Sequence, residues 1–173
     1  MAKEKSIMRS LVLIGAIALL TVVQLPMSSP ALALLREHHQ SPGVLRYHAQ
    51  HSIKDRSSRA WQVILFPDDS ESTLTKYYLR LVGFPGLVEV LHPQSLELIT
   101  SNGEVLTAPD VFPKASPALN VGQYDLSDLV SLLPSNGSLK LVFAASDSQQ
   151  HTENISLKIT PSILNEWQIL IGK

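Results

Sequence analysis

From residue 45 onward the chain is written in short alternations. Leu45, Tyr47, Ala49, His51 and Ile53 are separated by Arg46, His48, Gln50 and Ser52. A period of two puts one set on each face of an extended segment, so this stretch predicts a half-buried strand. After the polar turn Lys54–Arg59, Trp61, Val63 and Leu65 alternate again, and the two runs predict a hairpin. Pro67–Ser72 closes it. A third strand is expected over Leu74–Val82, with Tyr77, Leu79 and Leu81 on one face and Lys76, Tyr78 and Arg80 on the other. Leu87–Leu91 reads as a fourth, stopped by His92-Pro93. Leu96–Thr100 and Glu104–Thr107 flank Ser101-Asn102-Gly103, and Asn-Gly between apolar runs is a strong hairpin signal.

Beyond Thr107 the pattern loosens. Ala108–Gly122 carries three prolines and predicts a long irregular connection. Asp125–Leu133 has the spacing of a short helix, capped by Asp125 or Ser127 and ended by Pro134. Leu139–Ala145 and Ile155–Ile159 predict two more strands around a polar turn. Ser162–Leu170 fits either a helix or a closing strand. Seven or eight short strands with regular turn signals predict a mainly β protein, a single antiparallel β-sandwich or barrel-like domain with one or two short helices. Trp61 and Trp167 sit among apolar neighbours and are expected in its core.

The N-terminus follows a different rule. Residues 1–10 carry three positive charges and one negative, and an uncharged run, Leu11–Val23, follows with Thr21 as its polar member. Pro26 and Pro30 then break the chain before Ala31-Leu32-Ala33. A charged start, a short apolar middle and small residues at −3 and −1 make a secretory signal peptide, residues 1–33, with Ala31 and Ala33 as the signal peptidase site. The competing expectation is retention by an uncleaved N-terminal anchor, but the thirteen residues of Leu11–Val23 fall short of the roughly 20 needed to span a bilayer. No Cys follows for lipidation and no Arg pair signals the twin-arginine route. Residues 34–44 are polar and predict a flexible N-terminal arm, leaving 45–173 as the β-rich domain.

Cleavage after Ala33 leaves 140 residues holding 11 Lys and Arg against 14 Asp and Glu, a net charge of −3. That length supports one apolar core. Cysteine is absent from the whole chain, so thiol chemistry and cysteine metal sites are excluded and packing alone holds the fold. The acidic balance gives no sign of the electrostatic footprint nucleic acid requires, a clustered basic face, and anionic headgroups are an unexpected target for the same reason.

Four segments carry a resemblance, in this order along the chain: Trp61-Gln62-Val63-Ile64-Leu65-Phe66, Leu79-Arg80-Leu81-Val82-Gly83-Phe84-Pro85-Gly86, Asn120-Val121-Gly122-Gln123-Tyr124-Asp125-Leu126 and Glu166-Trp167-Gln168. In these the chain resembles an uncharacterised family of exported cyanobacterial proteins, a domain of unknown function. The resemblance runs from about Leu45 to Leu170. It implies a cyanobacterial host, hence the periplasm or thylakoid lumen, and brings no activity, cofactor or catalytic residue.

Candidate chemistry is thin. His48 and His51 fall on opposite faces of a strand, and the other histidines sit in the arm or at turns, so solvated surface histidines are expected and no metal or other cofactor is assigned. The acidic turn Asp68–Glu71 lacks the spacing of a dedicated Ca²⁺ loop. No nucleophile elbow or phosphate-cradling Gly pattern occurs. Phe84-Pro85-Gly86 offers a rigid aromatic turn, a possible binding anchor, because Pro and Gly suit the central positions of a type II turn; the plainer expectation folds Phe84 back onto the core edge. The leading expectation is therefore an exported non-enzymatic module that binds a protein partner, as an accessory or assembly factor for a membrane complex. A carrier of a small apolar ligand (pigment or lipid) is the runner-up, and an envelope hydrolase with paired carboxylates the third reading.

Overall fold

The computed structural model describes residues 36–41, 44–68, 75–112 and 116–172, all within one compact unit, Ala33–Lys173. The segment 1–33 and its peptidase site, Ala31 and Ala33, lie outside the described residues, as does most of the acidic turn after Asp68. The described residues form ten strands in two antiparallel sheets of five. The first contains β1 (Arg36–Ser41), β2 (Val44–Lys54), β3 (Ala60–Asp68), β4 (Lys76–Val82) and β8 (Val121–Asp125), in the order β1-β2-β3-β4-β8. The second contains β5 (Val88–Val90), β6 (Leu96–Thr100), β7 (Val105–Ala108), β9 (Leu139–Asp147) and β10 (Thr152–Ile159). Its order is β10-β9-β6-β7, with β5 pairing the C-terminal half of β9.

The predicted alternation is what builds the core. Ala49, Leu65, Leu79 and Tyr124 are successive cross-strand partners in the first sheet, and all are fully buried. Leu98, Leu141 and Leu157 form the matching inner row of the second sheet. Between the layers Trp61 meets Phe143 edge-to-face at a centroid separation of 4.9 Å, an arrangement favoured by the ring quadrupoles. Trp167 is equally buried, so both tryptophans occupy the core.

Two devices close the sides of this sandwich. After β7 the chain leaves the second sheet and pairs with β8 of the first: Asp110 bridges Tyr124, and Val111 N–H donates to the Gln123 carbonyl at 2.8 Å. One edge is thus shared by both sheets, which makes that side barrel-like. The final segment resolves as a helix, α1 (Pro161–Ile171), with Pro at its first position, where the missing N–H costs nothing. It buries Leu164, Trp167 and Leu170 against β2 and β3. Its last turn is tied down where the Tyr77 hydroxyl donates to the Ile171 carbonyl at 3.2 Å.

Three expectations are corrected. Residues 36–41, read as part of a loose arm, pair with β2 as β1, with Glu37 opposite Tyr47. The irregular connection ends at Asn120, because Val121–Asp125 forms β8. The helix over Asp125–Leu133 shrinks to one 3₁₀ turn, Val130–Leu132. Asp125 is consumed by pairing with Tyr78, and Leu133 is extended (ψ 131°) ahead of Pro134, as the steric restriction on a residue before proline requires. Too few residues remain to nucleate an α-helix. Asp125 still caps locally, its Oδ1 accepting the Ser127 N–H at 2.9 Å.

Candidate apolar binding tip

Phe84 does not fold back onto the core edge. It is 66 % exposed, at the tip of the β4–β5 turn. The turn has the predicted form: Leu87 N–H donates to the Phe84 carbonyl at 3.2 Å, and Gly86 takes a φ of +77° that side chains rarely adopt. At its base Gly83 sits so close to the core that a Cβ there would lie 2.3 Å from Val88 Cγ2 and 3.0 Å from Trp61. The turn is therefore anchored on the interior while its outer residues project away.

A second loop completes the surface. Gly83 N–H donates to the Asn120 carbonyl at 2.9 Å, and Asn120 Nδ2 returns a bond to the Gly83 carbonyl at 2.8 Å. Val90 N–H donates to the Leu119 carbonyl at 2.7 Å. These bonds tie the backbone of Leu119, 67 % exposed, to the base of the turn that carries Phe84 and Leu87, itself 50 % exposed. Three exposed large apolar residues thus lie on two loops joined by hydrogen bonds. Sequence reasoning found Phe84, Pro85 and Gly86 and missed Leu119, which lies in a stretch read as irregular; its signal was an isolated Leu beside Asn120 in a proline-rich loop.

The histidines are not all solvated. His92 is half-buried beside Asp110, Nδ1 to Oδ2 at 2.5 Å, and its Nε2 faces the Val121 carbonyl at 3.2 Å. Both ring nitrogens of His92 therefore face an oxygen within the fold. The pair clips the β5–β6 connection to the segment that switches sheets. His51 faces inward from β2, its Nε2 3.1 Å from the buried Glu166 Oε2 of α1. His151 is exposed beside Asp147. Among the described residues no three His, Asp or Glu side chains converge as metal ligands.

On the outer face of the first sheet, Arg80 donates through Nε and Nη2 to Gln123 Oε1 at 2.9 and 2.6 Å and lies over the Phe66 ring. Burial there pushes the guanidinium pKa down. Its Nε and Nη2 donors are thus engaged within the sheet.

Two antiparallel five-stranded sheets packed over one shared core, closed by a short C-terminal helix, define a mainly β domain. The chain belongs to the family described as Protein of unknown function (DUF3122), whose model matches residues 33–170. No curated protein and no solved structure matches the chain.

Proposed function

We propose that this chain is an exported, non-enzymatic β-rich module that docks on a protein partner through Phe84, Leu87 and Leu119. The carrying observation is the exposure of three large apolar side chains on loops cross-braced by the Gly83–Asn120 bonds. Buried aromatic anchors dominate protein interfaces, and a pre-formed tip loses little conformational freedom on docking. The working compartment in this reading is the periplasm or thylakoid lumen of a cyanobacterium, and the role that of an accessory or assembly factor for a membrane complex. The secretory pattern of residues 1–33 supports export, as does a family match that begins at residue 33, beside the predicted cut. The carrier reading draws no support from a core in which Trp61, Phe143, Trp167 and Tyr124 fill the interior.

The test places a photo-crosslinking amino acid at position 84 of a tagged protein in its native host. A discrete protein adduct is expected, lost in Leu119→Ser. The Phe84→Ser/Leu119→Ser variant should keep wild-type thermal stability, since both side chains are mostly in water already, while failing to co-purify the partner. Crosslinks to lipid alone, or capture unaffected by the double substitution, would overturn the proposal.

A further inference from the structure

Four cations far apart in the sequence meet around one concavity. Lys54 and Arg56 come from the end of β2 and the β2–β3 turn, Lys140 from β9 and Lys158 from β10; with Ser138 and Ser156 they line a space of about 500 Å³. All four cationic residues are exposed. Among the described residues none of them has a carboxylate partner. Lys140 and Lys158 are direct cross-strand partners, and like charges placed opposite each other repel. A chain with a net charge of −1 and 15 acidic residues thus leaves a like-charge pair uncompensated at one place.

The acids nearby are engaged or displaced. Asp55, also on the rim, accepts from the Ser57 and Arg59 amides, the Arg59 guanidinium and the Trp61 indole. Glu153 is taken by Arg59 Nη1, a contact that also pins the β2–β3 turn against β10. Glu97 stands opposite Val142, a diagonal position from Lys140, and compensates at most one of the four.

The geometry points to a binding site for a small molecule carrying two or more phosphate or sulfate groups. Lys binds such oxyanions as a point charge and Arg as a planar fork, and the Ser138 and Ser156 hydroxyls are positioned to donate to the same oxygens. The volume lies in the range of small-molecule pockets. A nucleic-acid strand needs an extended basic stripe instead, so four cations gathered around one open concavity favour a compact polyanion.

The probe is inorganic pyrophosphate, titrated calorimetrically into the purified full-length protein at constant ionic strength, with inorganic phosphate alongside. Saturable one-to-one binding is expected, with phosphate weaker by about tenfold because one charged group is lost. Lys140→Gln/Lys158→Gln should weaken pyrophosphate by about tenfold or more and abolish the thermal stabilisation that the ligand gives the wild type. Lys54→Gln/Arg56→Gln, on a different element, should weaken it too, so the inference does not hang on one variant's folding. Absence of saturable heat up to about 5 mM pyrophosphate, or affinity unchanged in both double variants, would overturn it. So would sedimentation with phosphatidylglycerol vesicles that pyrophosphate does not compete away, because the cluster would then serve a membrane surface.

Discussion

Asp55 is the residue at which a conservative substitution should prove costly. Its carboxylate is nearly buried and uses both oxygens: Oδ1 accepts the Ser57 and Arg59 amides at 2.8 and 2.9 Å, and Oδ2 accepts Arg59 Nε at 2.8 Å and Trp61 Nε1 at 3.2 Å. Asparagine has one carbonyl oxygen. It can keep the two turn amides, but its NH₂ then faces two donors, or it can keep the donors and abandon the turn. The Ser57 amide is at an exposed residue and Arg59 retains Glu153, so water and Glu153 soften those losses. The Trp61 indole is fully buried, and an orphaned buried donor costs about 1–3 kcal/mol. With the lost charge-assisted bond to Arg59 added, both Asp55→Asn and Asp55→Ala should cost about 3 kcal/mol. Urea titration followed by far-ultraviolet circular dichroism reads this as a midpoint lower by about 1–2 M at unchanged slope.

The same carboxylate fixes an acid-limb signature. Burial pushes its pKa up, but the hydrogen bonds from Trp61 and Arg59 more than offset this and hold it below the ordinary value of 3.8. A group with a depressed folded pKa stabilises above its unfolded value and loses that contribution as pH falls through the folded one. The gap between wild type and Asp55→Asn should therefore be constant above about pH 5 and narrow only below 3.8. An Asp55→Asn protein within about 0.5 kcal/mol of wild type at neutral pH, or a gap that narrows above pH 5, would refute the reasoning.

Two further substitutions probe the packing. Gly83→Ala drives a methyl group to 2.3 Å from Val88 Cγ2 and should lower stability by about 1–3 kcal/mol, visible as a reduced melting temperature; an unchanged melting temperature would mean the turn base is not the rigid anchor described. His51→Ala removes the polar group 3.1 Å from the buried Glu166 carboxylate and should cost about 1–3 kcal/mol, whereas His51→Leu/Glu166→Leu, which removes both polar groups together, should recover most of it. Additive losses in that double-mutant cycle would rule out the pairing.

How much of this was legible follows from where the information sits. Strands β2, β3, β4 and β9 were readable because each carries its own alternation, as Trp61, Val63 and Leu65 do, and alternation needs no partner to be seen. The Pro85-Gly86 turn was readable from its torsional demands. Strand β8 was hidden: Gly122 and Gln123 interrupt its apolar pattern, yet Gly122 is required there, since a Cβ would lie 2.9 Å from the Tyr124 hydroxyl. His51 and Glu166 were hidden because polar residues on an inner face look like errors until their partner across the fold is known. The tip was half legible. Phe84 announces itself by its turn, while Leu119 joins it only through hydrogen bonds spanning 37 residues of sequence.

The basic concavity shows the limit more sharply and also makes the two proposals separable. Nothing local distinguishes Lys54, Arg56, Lys140 and Lys158; only the β9–β10 register and the Arg59–Glu153 contact bring them together. None of the four lines the tip, and neither Phe84 nor Leu119 lines the concavity. The tip is held by backbone bonds between Gly83, Asn120, Leu119 and Val90, which neutralising a surface lysine leaves intact. Exposed, well-separated sites act independently. Lys140→Gln/Lys158→Gln should therefore lose pyrophosphate and still capture the protein partner, and Phe84→Ser/Leu119→Ser should do the reverse. A lysine variant that lost both would place the partner on the basic face, and the apolar tip would no longer be needed to explain binding.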